Sequence, residues 1–183
     1  MKKGLLLASL AILAACNNQP AATADSTTKP APDSTIAEIK SPYEIGYSSK
    51  FVMGDPKNAE SVLKLWKQWD SGDLSGSKDI FADSVELYMA DGSMMHGPKD
   101  SVIAGAQNFR SSMSSAVSSV YTITALKSTD KNENWAVIWG KEVDTYKKGK
   151  PDSFYLQETW RFNKDGKVNL LYQFKSAIVP PKK

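Results

Sequence analysis

From Val117 onward the chain is a succession of strand-length runs, and this feature limits the fold more than any other. The runs are Val117 to Leu126, Trp135 to Thr145, Ser153 to Phe162 and Val168 to Ser176, all rich in β-branched and aromatic residues. Turn chemistry divides them at Thr129-Asp130-Lys131-Asn132, Lys148-Gly149-Lys150-Pro151 and Asn163-Lys164-Asp165-Gly166. Connections this short join antiparallel neighbours.

The helical patterns come earlier. Asp55-Pro56 has the chemistry of a helix start, with Asp as N-cap and Pro in the first turn. Val62, Leu65, Trp66 and Trp69 then recur with the spacing of one apolar helix face, and Ser71-Gly72-Asp73 ends the pattern. Lys78 to Phe81 predicts a short second helix. Ser84 to Met89 predicts a strand, Asp91-Gly92 a turn, and Met94-Met95-His96 a brief strand. Gly97-Pro98 opens a third helix, with Val102, Ile103, Ala106, Phe109 and Met113 on one face. Helices first and strands later predict an α+β domain, not alternating βαβ units.

The Trp135 strand adds a constraint. Trp135, Val137, Trp139 and Val143 point one way, Ala136 and Ile138 the other, so both faces are apolar at its start. Such a sheet needs cover on both sides. Helices supply one cover; a dimer partner, the chain's own tail or a ligand supplies the other.

Ahead of this domain the composition changes. Met1-Lys2-Lys3 is basic, and Gly4 to Leu13 is apolar, the layout of a secretory signal peptide. A spanning helix needs about 20 apolar residues, and here Asn17-Asn18-Gln19-Pro20 follows too soon. Leu13-Ala14-Ala15-Cys16 resembles the lipobox of bacterial lipoproteins. The resemblance implies cleavage before Cys16, acylation of that residue, and a membrane partner held through lipid. Two or more acyl chains give stable anchoring. Cys16 is the only cysteine, so the domain folds without an intramolecular disulfide.

The expected organisation is a signal peptide over 1–15, a lipidated Cys16 with a flexible tether over 16–42, and one domain over 43–183. The tether carries Pro20, Pro30, Pro32 and Pro42 and almost no large apolar residue, so it cannot offset its ordering entropy by burial. Asn17, where enteric bacteria use Asp for inner-membrane retention, leads to an expectation of the outer membrane, facing the periplasm. Loss of Lys2 and Lys3 leaves 21 basic against 20 acidic side chains, with no basic patch for nucleic acid.

The domain's motifs run in a recognisable order: Gly72-Asp73-Leu74, Ile80-Phe81-Ala82-Asp83, Ser84 to Leu87, Asp91-Gly92, Gly97-Pro98-Lys99-Asp100 and Asp165-Gly166-Lys167-Val168. Over residues 55 to 176 this order resembles the nuclear-transport-factor-two-like superfamily, and within it the SnoaL-like polyketide cyclase branch. The resemblance implies a cone-shaped, curled, mixed or antiparallel sheet wrapped by about three helices. It also implies a pocket at the open end and frequent homodimers through the sheet. Members include isomerases, cyclases, dehydratases, epoxide hydrolases and proteins without catalysis.

Several side chains are candidates for chemistry. His96 is the only histidine, and an imidazole is the side chain most suited to acid–base work near neutrality. Glu158 interrupts the apolar face Phe154-Leu156-Glu158-Trp160-Phe162; burial there would raise its pKa, and the alternative is an ion pair with Lys141 or Lys175. Tyr88 is a candidate hydrogen-bond donor to a substrate. Trp66, Trp139 and Trp160 suit a pocket wall, and Gln173 is placed to orient a ligand. No metal-ligand set, cofactor motif, nucleotide loop or nucleophile elbow is present in the sequence. The leading expectation is a module that binds a small apolar or amphipathic molecule. The alternatives are an acid–base enzyme using Glu158 or His96 with Tyr88, and an interaction domain with a filled core.

Overall fold

The computed structural model describes residues 39–178. The expected signal peptide, Cys16 and most of the tether lie outside these residues. The chain forms β1 (Phe51–Met53), α1 (Pro56–Ser71), a 3-10 turn (Ser75–Asp79), β2 (Phe81–Tyr88) and β3 (Met94–Pro98). Then follow α2 (Lys99–Arg110), β4 (Met113–Ser128), β5 (Glu133–Tyr146), β6 (Asp152–Phe162) and β7 (Val168–Ala177).

The strands make one mixed sheet in the order β1-β4-β5-β6-β7-β2-β3. Every pairing is antiparallel except β2 with β7. Register shifts between Met113 and Ser115, between Val120 and Thr122, and between Arg161 and Phe162 interrupt the ladders. Irregularities of this kind increase local twist and bend a strand, which lets the sheet curl around what it covers.

Each helix boundary has a local cause. The Asp55 side chain accepts from the Lys57 N–H, and Gly72 closes α1 in the left-handed region at φ 81°. Val62, Leu65 and Trp66 are buried against the sheet, as their spacing predicts. Three expectations are corrected. The second helix is a 3-10 turn lying earlier, and Phe81 opens β2 with its side chain in the core. There are thus two α-helices and a 3-10 turn where about three helices are expected. Met113 belongs to β4, because α2 stops at Arg110.

The core is centred on Val62, Val85, Ile138 and Val168, each at most 1% exposed. It lies between the sheet's inner face and the two helices. Trp135, Ala136, Val137 and Ile138, near the start of β5, are buried on both faces, as expected. On the outer face the cover over Trp135 is the chain's own segment: Tyr47 meets its ring edge-on at 6.3 Å, and Arg161 lies over it at 5.8 Å. β1, unanticipated from sequence, holds this segment against the edge of β4.

Candidate functional site

The sheet and helices do not close completely on one another. Between them lies a cavity of about 430 Å³. Trp66 and Trp69 of α1, Leu87 of β2, Val102 and Ile103 of α2, and Phe154, Leu156 and Trp160 of β6 supply its apolar wall. Its solvent-exposed lining residues, Asp91, Ser93, Phe109 and Lys175, mark the mouth. An apolar hollow with a few converging polar groups is the usual form of a small-molecule site. A second hollow, lined by Asn132, Glu133, Asn134, Arg161 and Asn163, is polar, and its Arg161 and Glu133 are turned on each other at 3.6 Å.

Glu158 sits deep in the wall. The alternation of β6 puts Phe154, Leu156, Glu158, Trp160 and Phe162 on one buried face. Glu158 is 4% exposed, yet all its partners are neutral. Its Oε2 accepts from Trp66 Nε1 at 2.6 Å and Trp160 Nε1 at 3.0 Å, and its Oε1 accepts from Gln173 Nε2 at 2.8 Å. Burial raises the carboxyl's pKa, and the three N–H donors counter part of that rise. Neither anticipated ion pair forms. Lys175 bonds Asp152 at 2.9 Å and lies 3.9 Å from the centre of the Phe154 ring. Lys141 belongs to the opposite face of β5.

Two further carboxyls face the cavity, and both escape the sequence reading. Glu142 and Asp144 continue the inner-face phase of Ala136, Ile138 and Gly140 along β5, and both are buried. Trp69 Nε1 donates to Glu142 Oε1 at 2.8 Å, and Glu142 and Asp144 are hydrogen-bonded to each other. Burial foremost, then the bond to Asp144 and its charge, push Glu142 up to about 9. Burial also raises Asp144. Such a pair retains a proton at neutral pH because two adjacent carboxylates out of water cannot both ionise cheaply. The signal that could have found them was phase: two acids in register with a buried face.

Arg110 fixes the Trp69 end of this arrangement. Its buried guanidinium donates to the carbonyls of Trp69 (2.6 Å) and Asp70 (3.1 Å), capping the end of α1 with a cation. Gln107 adds bonds to the Leu74 N–H and the Gly72 carbonyl, each at 2.9 Å. Trp66 is seated by a different device. A side chain at Gly140 would place its Cβ 2.7 Å from the Trp66 ring and 2.6 Å from the Ser119 carbonyl. Gly140 therefore leaves the room in which the indole ring approaches β5 closely and its Nε1 reaches Glu158.

The structure brings together Trp66, Glu158, Trp160 and Gln173, and Trp69, expected in the core, joins them at the wall. It separates the other sequence candidates from them. Tyr88 alternates with the core residues Val85 and Leu87, so its ring leaves on the outer face, where it stacks on Tyr172 at 5.1 Å. Trp139 is also on the outer face and 39% exposed. His96 is exposed on β3 opposite Glu86, away from the cavity. In each case strand alternation sends the side chain through the sheet, and no acid–base pairing of His96 or Tyr88 with Glu158 is possible. Among the described residues no group of three or more His, Cys, Asp or Glu is arranged to hold a metal ion. No described helix is long and apolar enough to cross a membrane.

No family model matches the chain, and no curated protein matches it in sequence. Solved structures do match in fold. An LEH-like epoxide hydrolase from M. tuberculosis superposes with TM-score 0.53 at 9% identity, over 66% of this chain and 83% of that one. SalBIII, an epoxide hydrolase/cyclase-like enzyme with a role in pyran ring formation in the polyether salinomycin, gives 0.54 at 10% identity over 66% and 91%. A nuclear-transport-factor-two-like protein of unknown function from Burkholderia pseudomallei gives 0.52 at 18% identity over 65% and 90%. The described domain thus has the nuclear-transport-factor-two-like α+β cone fold, as the motif order implies. At these identities the likeness is one of fold, which many functions share.

Proposed function

We propose that this chain is a lipid-anchored domain that binds a small, mainly apolar molecule in its cone. The cavity of about 430 Å³ carries the reading, because aromatic and aliphatic walls converge there on buried carboxyls. The wall supplies contact area, and Glu142, Asp144 and Glu158 supply orientation. Native mass spectrometry of the full chain tests this directly. The expected spectrum shows an added mass that leaves on denaturation. A bare mass that also takes up no indole would rule out the binding reading.

The same spectrum reports on assembly. Tyr88, Trp139, Tyr155, Tyr172 and Phe174 are each at least 38% exposed, and all belong to the outer face. An aromatic patch of this extent on one sheet face suits a second copy related by a two-fold axis. A doubled mass is the expected result.

Cys16 is the proposed anchor, placing the domain on the periplasmic side of the outer membrane. Cys16→Ser is expected to move the protein from the membrane pellet to the soluble fraction. Retention in the pellet would count against lipidation there.

An acid–base enzyme is the second reading, and Glu142 favours it: a carboxyl held up to about 9 is a proton donor at neutral pH. Two of the similar folds are epoxide hydrolase-like, so styrene oxide is a suitable first substrate. Turnover that disappears in Glu142→Gln with the fold intact would support catalysis. Equal turnover in both proteins would remove Glu142 from any mechanism.

A further inference from the structure

The polar end of the cavity is short of positive charge. Its described lining holds four carboxyl groups, Asp91, Glu142, Asp144 and Glu158, against the single ammonium of Lys175. That ammonium is turned to Asp152 and the Phe154 ring. The Arg110 guanidinium is committed to the carbonyls of Trp69 and Asp70. Asp144 is only 3% exposed, and apart from the proton it shares with Glu142, no N–H or hydroxyl group among the described residues donates to its Oδ1. A buried acceptor without a donor is costly, and a buried carboxylate needs a partner of opposite charge.

We propose that the ligand is an amphipathic cation, with an ammonium group seated between Glu142 and Asp144 and an apolar body against the tryptophan-lined wall. This rests on the binding reading above. An ammonium brings three donors, enough for Asp144 Oδ1 and a Glu142 oxygen. The indoles of Trp66 and Trp69 add apolar area for the ligand's body. An anionic ligand would meet the same carboxyls as repulsion.

The proposal has a proton balance. In the free protein the Glu142 and Asp144 pair holds a proton that burial keeps in place. The entering ammonium replaces that proton as the neutralising charge, and the proton passes to solvent. Several groups face the pair and set how completely this happens: Arg110 from α2, Lys175 from β7, Asp152 and Glu158 from β6, and Tyr146 from β5 itself. Release of one proton per ligand makes affinity rise with pH, by up to about tenfold per unit below the pair's titration.

Phenethylamine and phenethyl alcohol, alike in shape and different in charge, are the probes. Both are titrated calorimetrically into the full chain, in buffers of different ionisation enthalpy. The expected result is at least tenfold tighter binding of the amine, with proton release for the amine alone. The Glu142→Gln/Asp144→Asn protein should lose that preference and still bind the alcohol. Equal affinities without proton release would overturn the cation proposal and leave the pocket reading standing. Failure of both probes to bind the folded protein would overturn both. The proton count comes from the unmodified chain, so the test holds even if the double variant does not fold.

Discussion

At pH 9 the Glu142→Gln protein is expected to be more stable than the parent, and at pH 4 the two should be nearly equal. The glutamine fits the hydrogen bonding already present. Its carbonyl oxygen accepts from Trp69 Nε1 as the carboxyl does at 2.8 Å, and its amide donates to Asp144. What it removes is an ionisation that the fold opposes. Glu142 is raised from 4.5 to about 9, so between those values the folded state holds a proton that the unfolded state has released. Stability is therefore greatest below the ordinary carboxyl range, falls as pH rises through this window, and levels above about 9. Each pKa unit corresponds to about 1.4 kcal/mol, so the loss amounts to several kcal/mol, shared with Asp144 through their bond. Asp144 and Glu158 are raised too, so a weaker slope of the same sign persists in the variant. Urea denaturation of both proteins from pH 4 to pH 9.5 measures the difference. Parallel profiles would show that Glu142 ionises freely in the folded state.

Glu158→Leu is expected to lower stability by about 2–4 kcal/mol, because two buried indole N–H groups and the Gln173 amide lose their acceptor together. Relief from burying a carboxyl offsets part of this cost. For a domain of this size the change is roughly 5–15 °C in Tm. Glu158→Gln separates the two contributions. Its carbonyl oxygen can accept both indole N–H bonds, and its amide can donate to Gln173 once that side chain turns over. The Gln variant should therefore match the parent within about 1 kcal/mol at neutral pH. Thermal unfolding followed by tryptophan fluorescence distinguishes the outcomes. A Leu variant as stable as the Gln variant would mean that the donors are satisfied elsewhere.

Much of the fold was legible in the sequence because it rests on local rules. Asp55-Pro56 and Gly72 bound α1 through capping, which involves only neighbouring residues. The four C-terminal strands follow from alternation and turn chemistry within each segment. β1 escaped notice because three residues carry no period, and their strand character comes from pairing with β4 across the chain. The 3-10 turn at Ser75–Asp79 was misplaced for a related reason: Phe81 has the same apolar character on a helix face as on a strand.

The candidate site divides along the same line. The sequence alone determined that Glu158 shares a face with Phe154, Leu156, Trp160 and Phe162, since strand period is two. It also carried the fold class, through the order of its motifs. Which side of each strand turns toward the helices was decided only by tertiary structure. That choice excluded Tyr88, His96 and Trp139 from the cavity and brought in Glu142 and Asp144, which Trp69 of α1 meets there. Alternation sorts residues into two sets but does not say which set is inside. The answer depends on where α1 lands, and α1 lands where Gly140 leaves room for Trp66. The pKa of Glu142 belongs to the same category, because burial and the approach of Asp144 and Trp69 exist only once the chain has closed around them.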